Sequence, residues 1–342
     1  MASSGFIDKN PTLDTYWRSA ILLGRNTASY KFALAKTLLE LPKKENFIGV
    51  EDLAIPFSKN ISDHLQKNDR QSTGAQNSFL ESCRKFNRSE INESELVSET
   101  TKHGFRYVFD AFHNVAQSEI PKFFEKTTGG RKGLTLTDNF YQLLESEQSS
   151  NLSFEVESRW RLWETALSLE ITPTLIEINT DGEGEILFVL DNRTKRIDVT
   201  SSRNALSGYQ KGKCFYCWQG IAIDRGFENS CDVDHFFPHM LSQYQITNLD
   251  QVWNLVLSCK DCNRGEGGKF ERIPEILYLE LLNKRNNYYV ESHHPLRETI
   301  MRQTGKTGDD RRRFLQKFFD SAIDFIPSTT KWKSPRFQGE QF

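Results

Sequence analysis

The sequence predicts an α+β protein. A mainly helical N-terminal region comes first, then a small antiparallel β element, a cysteine-stapled strand–strand–helix unit and C-terminal helices. Three observations predict it. Apolar residues recur near the helical period through much of residues 12–146 and again beyond Pro274. Short β-rich runs separated by turn residues lie between 175 and 199. Two Cys-x-x-Cys pairs, Cys214 with Cys217 and Cys259 with Cys262, enclose two alternating, strand-like segments.

In the first region, Tyr16, Ala20, Leu23 and then Phe32, Leu34, Leu38 and Leu41 recur at helical spacing, with a break at Gly24-Arg25-Asn26 and a stop at Pro42. Residues 57–75 are rich in Ser, Asn, Gln and Lys and read as an exposed connection. Helical patterns return at 77–86, 103–116 and 137–146, and Gly129-Gly130 marks a loop before the last of these. A helix over 156–171 carries Trp160 and Trp163, and Pro173 ends it. Leu175–Ile178, Ile186–Leu190 and Lys195–Val199 read as three strands joined by hairpin turns. Ser201 or Ser202 caps a helix over 203–210. Pro274 opens a helix reaching about Tyr289, His293-His294-Pro295 breaks the pattern, and helices follow over about 296–303 and 309–325. The tail after Pro327 is polar and reads as loose. These elements suggest an organisation in four parts: 1–150 as a helical regulatory or partner-binding region, 151–202 as a helix and β-hairpin connector, 203–290 as the unit that bears the chemistry, and 291–342 as C-terminal helices packed on it.

A chain of 342 residues suits two or three domains, and its 37% hydrophobic content is enough for a real core. A net charge of −2 excludes a generic polycation, but the balance is uneven. Residues 259–336 hold 16 Lys and Arg against 11 Asp and Glu, leaving 28 against 35 elsewhere. The C-terminal part is therefore the one expected to meet phosphates. No run is apolar and long enough for a bilayer, and Met1–Gly5 lacks the basic and apolar regions of a secretory signal. Four of the six Cys sit in close pairs, as metal ligands do in an intracellular chain, which places the protein in the cytoplasm.

The two Cys-x-x-Cys turns can bring Cys214, Cys217, Cys259 and Cys262 onto one tetrahedral zinc ion. Four thiolates leave no open position, so this zinc is structural. Between the pairs lie Asp234-His235 and Pro238, then Asn254, with Asn263 directly after the last Cys. Strand, strand and helix in that order gather Asp234, His235, Asn254 and Asn263 around one small cleft. The carboxylate of Asp234 and the amide oxygen of Asn263 are hard donors suited to Mg²⁺ or Mn²⁺, and the imidazole of His235 is the side-chain type that suits a general base. His239 and Asp232 are neighbours with weaker claims, the first behind a Pro turn, the second read as a solvated residue.

The full pattern of Cys-x-x-Cys, Val-Asp-His-Phe-Phe-Pro, Trp-Asn-Leu-Val-Leu-Ser-Cys and Cys-Asn-Arg-Gly resembles the HNH endonucleases, whose active site is a ββα-metal finger. The resemblance spans about residues 206–290 and extends to the HNH domains of RNA-guided DNA nucleases. It implies Asp234 and Asn263 as ligands of the cleavage metal, His235 as general base and Asn254 as the residue that orients it. Two departures matter. Asn263 stands where many members carry His, and the Lys that often follows is displaced to Lys269. Arg264 or Lys269 is then the phosphate contact, Arg264 being nearer. The expected activity is metal-dependent hydrolysis of DNA, and the layout resembles bacterial nucleases of restriction or anti-phage defence, with 1–150 binding a partner, a second copy or a ligand. The alternative is a zinc-stabilised nucleic-acid-binding module without cleavage, which leaves Asp234, His235, Asn254 and Asn263 unexplained.

Overall fold

A computed structural model describes residues 12–22, 26–41, 45–74, 77–115, 118–127, 129–146, 149–168, 206–222, 229–325 and 331–337, with three strands between 179 and 198. The architecture is α+β, and the chain divides into two compact units, Met1–Glu170 and Ile171–Phe342.

The first unit contains helices α1 (Leu13–Leu22), α2 (Tyr30–Glu40), α3 (Val50–Lys67), α4 (Ser78–Asn87), α5 (Glu93–Glu99), α6 (Val108–Ala111), α7 (Asp138–Glu145) and α8 (Ser149–Ser168). Strand β1 (Phe47–Gly49) precedes α3. Strands β2 (Asn114–Val115), β3 (Ser118–Glu119), β4 (Phe124–Thr127) and β5 (Gly133–Leu136) follow α6, and β1, β5 and β4 form one antiparallel sheet. Three expectations change here. The polar stretch expected as a connection from residue 57 belongs largely to α3, because Leu53, Phe57, Ile61 and Leu65 recur every fourth position and are buried. The helix expected over 103–116 is broken: α5 runs into a π-helical turn over Thr100–Gly104, then the short α6. The loop expected around Gly129-Gly130 is the turn of the β4–β5 hairpin, with Gly130 at positive φ.

Helix α8 also departs from the expected connector. Leu152, Val156, Trp160 and Trp163 pack into the same core as Trp17, Phe32, Phe57 and Phe140. Its inner face also carries a buried polar network. Glu164 accepts from Gln71 Nε2 and lies 2.5 Å from His64 Nδ1, while the His64 ring stacks on Trp160 at 3.5 Å. A helix whose inner face is committed to this core and this network belongs to the first unit, and the contacts divide after Glu170 rather than at 150.

In the second unit, β6 (Asn179–Thr180), β7 (Leu187–Leu190) and β8 (Arg196–Asp198) form an antiparallel meander, while the strand expected over 175–178 lies outside the described residues. Then come α9 (Ser207–Gln210), β9 (Asp232–His235), β10 (Leu255–Ser258), α10 (Lys260–Arg264), α11 (Ile276–Glu291), α12 (Arg297–Thr304) and α13 (Gly308–Phe325), with short 3-10 turns at His239–Tyr244 and Val252–Asn254. Helix α13 covers the loop between the strands: Phe314 and Phe318 lie 4.9 and 4.7 Å from the Trp253 ring.

The tail is not loose where it is described. Trp332 is buried between Tyr216 and Tyr278, exchanges backbone hydrogen bonds with Ile273 and Glu275, and donates its indole N–H to the Gly267 carbonyl. It takes Pro274 into a bridge, so α11 opens at Ile276 instead. Trp332→Ala should cost about 3–5 kcal/mol, the range for emptying an aromatic site in a packed core. A denaturant midpoint unchanged from wild type would show that the tail is not anchored there.

Candidate active site

The cysteine knot begins with Cys214, whose N–H donates to the Gln219 carbonyl and whose carbonyl accepts from Trp218 N, a tight turn that needs Trp218 at φ 66°. Cys259 caps α10, its sulfur accepting from Cys262 N. The four sulfurs of Cys214, Cys217, Cys259 and Cys262 all lie within 4.8 Å of one another, with Cys217 and Cys259 3.7 Å apart. Tetrahedral zinc at the usual bond length spaces its sulfurs by about 3.8 Å, so the cage fits. Bonds from its neighbours, Cys214 first, drive Cys259 toward the thiolate, and bonds with Cys217 and Cys259 hold Cys214 as the thiol. A dication removes that conflict by letting all four ionise. Ser334 and Arg336 of the tail close the knot, through 3.3 Å to Cys262 Sγ and an ion pair with Asp261.

Strands β9 and β10 pair antiparallel, with His235 opposite Leu255 and Asp234 opposite Val256. The outer edge of β10 is completed by a side chain: the Gln210 amide donates to the Leu257 carbonyl and accepts from its N–H. Buried Arg285 of α11 binds the carbonyls of Trp253 and Leu255, fixing the start of β10 to the helix. Neither Gln210 nor Arg285 has a spacing signal in the sequence.

Period-2 alternation places Asp232 and Asp234 on the side of α10. Asn263 donates Nδ2 to Asp232 at 3.0 Å, and among the described residues no donor reaches its Oδ1. Arg264 gives one N–H to Asp232 at 3.1 Å and is otherwise exposed. Asp232, expected as a solvated neighbour, is thus the residue that aims both. Asp234 is buried, accepts from Tyr216 Oη at 2.6 Å and faces Lys269 Nζ at 3.3 Å. Burial pushes its carboxyl up from the ordinary range, while the Lys269 charge and the Tyr216 bond pull it down. Burial also raises the Tyr216 hydroxyl far above its usual range, so it stays a donor. Lys269, expected with Arg264 at the phosphate, is fully buried instead. Two glycines account for this: a Cβ at Gly265 would stand 2.6 Å from Asp261 Cα and one at Gly268 2.8 Å from the Gly265 carbonyl, so the chain folds back tightly and delivers Lys269 beneath Asp234.

His235 turns to the other side of the strand. Its Nε2 lies 3.2 Å from Asp250 Oδ1, within ion-pair range but at an angle that makes no hydrogen bond, and His239 Nε2 lies 3.4 Å from the same oxygen. Asp250 is held below the usual carboxylate range, first by His235, and carried no sequence signal. Asn254 is fully buried and knits the loop: Oδ1 accepts from Phe237 N at 2.8 Å, and Nδ2 donates to the carbonyls of Phe237 and Leu249. It therefore acts on His235 through the loop backbone, not by touching the imidazole. Asn254→Ala orphans three buried backbone groups and should cost more than about 2 kcal/mol, whereas Asn254→Asp keeps the bond from Phe237 N and should fall between. Equal thermal midpoints for the three proteins would contradict this role.

Where one small cleft was expected around Asp234, His235, Asn254 and Asn263, the alternation of the strand divides them: Asp232, Asp234, Asn263, Arg264 and Lys269 lie on one side of the hairpin, His235, His239 and Asp250 on the other, and Asn254 inside the loop, with the His235 charge still favouring ionised Asp234. His293 and His294 are buried at the α11–α12 junction, His294 stacked on Tyr289, away from these groups. No helix among the described residues is long and apolar enough to cross a membrane. No curated protein and no solved structure matches the chain. Residues 214–274, which hold the cysteine knot and every side chain of both faces, match the family model described as HNH endonuclease.

Proposed function

We propose that the protein is a metal-dependent endonuclease that hydrolyses DNA phosphodiester bonds, serving in restriction or defence against foreign DNA. The observation that carries this is the pair of faces at one strand end: an oxygen-donor face of Asp234 and Asn263, and an imidazole one residue further on. The donor chemistry fits a hard cation. Among the described residues no donor occupies the Asn263 amide oxygen, and the Asp234 carboxylate has lone pairs beyond the two used by Tyr216 and Lys269. When bound there, Mg²⁺ or Mn²⁺ supplies charge stabilisation at the scissile phosphate and the departing oxygen.

The remaining work belongs to the chain. His235 accepts the proton of the attacking water as its oxygen bonds to phosphorus and the 3′ oxygen leaves. Asp250, beside the imidazole, stabilises the imidazolium that results. Arg264, which among the described residues commits one N–H, to Asp232, binds a phosphate oxygen with the others and is held in place by that bond. Tyr216 and Lys269 keep Asp234 in position within a buried setting.

Supercoiled plasmid incubated with the protein and Mg²⁺, Mn²⁺ or EDTA tests the reading. Cation-dependent nicking, with duplex RNA left intact, is the expected result. Binding without cutting in every cation would favour the zinc-stabilised binding module instead, and cleavage confined to RNA would move the substrate.

A further inference from the structure

The first unit holds a cavity of about 340 Å³ that none of this chemistry uses. The described residues lining it include Thr27, Tyr30, Lys31, Thr73, Asn77 and Tyr107, and no Asp or Glu. Beside the hydroxyls of Thr27, Ser72 and Thr73, Lys31 and Asn77 bring donors to it. Lys31 is 4% exposed, and among the described residues no carboxylate pairs with it; its ammonium has only a 3.4 Å contact to the Asn114 carbonyl. Asn77 Oδ1 is taken twice, by Tyr30 Oη and by Leu80 N, and among the described residues no acceptor takes its Nδ2 hydrogens. Helix α2, eleven residues long, begins at this cavity without a side-chain cap, and its Ser29 hydroxyl is buried and unpaired. Among the described residues, the amides of its first turn have no backbone acceptor.

A buried cation, a free amide N–H₂ and the positive end of a helix around one acid-free cavity form the donor set that binds an oxyanion. We infer that this cavity is a binding site for the phosphate group of a small molecule. Tyr107, 68% exposed at the cavity edge, offers a ring face to the planar part of such a molecule. The size agrees, since about 300 Å³ is the lower end of small-ligand pockets. Burial also lowers the Lys31 ammonium to about 8, which makes it the amine that reacts first with an aldehyde.

Pyridoxal 5′-phosphate carries a phosphate and an aldehyde and is the probe. The Lys31 amine adds to the carbonyl carbon, water leaves, and borohydride delivers hydride to the imine to give a stable secondary amine. Mass spectrometry of the full chain after digestion reads each lysine. Lys31 should be labelled ahead of exposed Lys59 and Lys102. It should need about tenfold less pyridoxal 5′-phosphate than pyridoxal, the worth of one charge-assisted contact. Inorganic phosphate should protect it and acetate should not. Labelling in the order of exposure, equal labelling by pyridoxal, or protection by acetate as strong as by phosphate would each overturn the assignment. The test uses unaltered protein and reads no cleavage, so its result is independent of the nuclease reading.

Discussion

Replacing His235 by Ala should lower the rate of cation-dependent plasmid nicking by about 10²–10⁴-fold while leaving the fold and DNA affinity near wild type. The size follows from removing the group that takes the proton of water. The selectivity follows from the packing. His235 Nε2 makes no hydrogen bond, so truncation orphans no backbone group, and Asp250, more than a third exposed, can rehydrate. Asn254→Ala differs on this point, since it loses stability together with rate. Measuring single-turnover nicking, DNA affinity and thermal midpoint on both variants separates the two roles. If His235→Ala cut plasmid as fast as wild type, the imidazole would not be the base and the proposed mechanism would fail. Asp250→Asn gives a second reading of the same step: it keeps the shape, removes the charge that stabilises imidazolium, and should slow cleavage less than loss of the ring.

The parts of this site that were legible in the sequence are those encoded by local spacing. A Cys-x-x-Cys turn, an Asp-His pair before Pro238 and an Asn after the last ligand each fix geometry over a few residues, and the hairpin and α10 realise them. The parts that were not legible are made by contacts between distant residues. Tyr216 reaches Asp234, Gln210 reaches Leu257, Arg285 reaches Leu255 and Asp250 reaches His235, and no periodicity announces such partners. Lys269 shows how this misleads. Its charge suggests a surface contact with phosphate, yet the close approach allowed by Gly265 and Gly268 buries it against a carboxylate. Composition misleads in the same way for α3, where polar residues outnumber the four that decide its burial. The tail was read from its polar character, but one buried Trp332 outweighs that character.

Removing the structural metal should have the largest effect of all. Zinc held by four thiolates contributes an apparent ~10–16 kcal/mol, which matches or exceeds the whole stability of a typical domain. The hairpin it ties is short: β9 and β10 have four residues each, and the knot joins them to α10 and to the tail. A chelator strong enough to strip zinc should therefore release amide-exchange protection across 214–274 and around Trp332, while the core of α2, α3 and α8 in the first unit stays protected. Cys217→Ser should do the same without a chelator. Metal analysis should find one zinc per chain before treatment and none after. The zinc cage and the proposed cleavage-metal site then separate by softness, because thiolates hold zinc while carboxylate and amide oxygens prefer Mg²⁺ or Mn²⁺. Adding Mg²⁺ alone to stripped protein should leave it inactive, and zinc followed by Mg²⁺ should restore nicking. Protection that survived zinc loss would mean that the packing of Tyr216, Tyr278 and Trp332 suffices to hold the finger, and that the thiolates serve some other purpose.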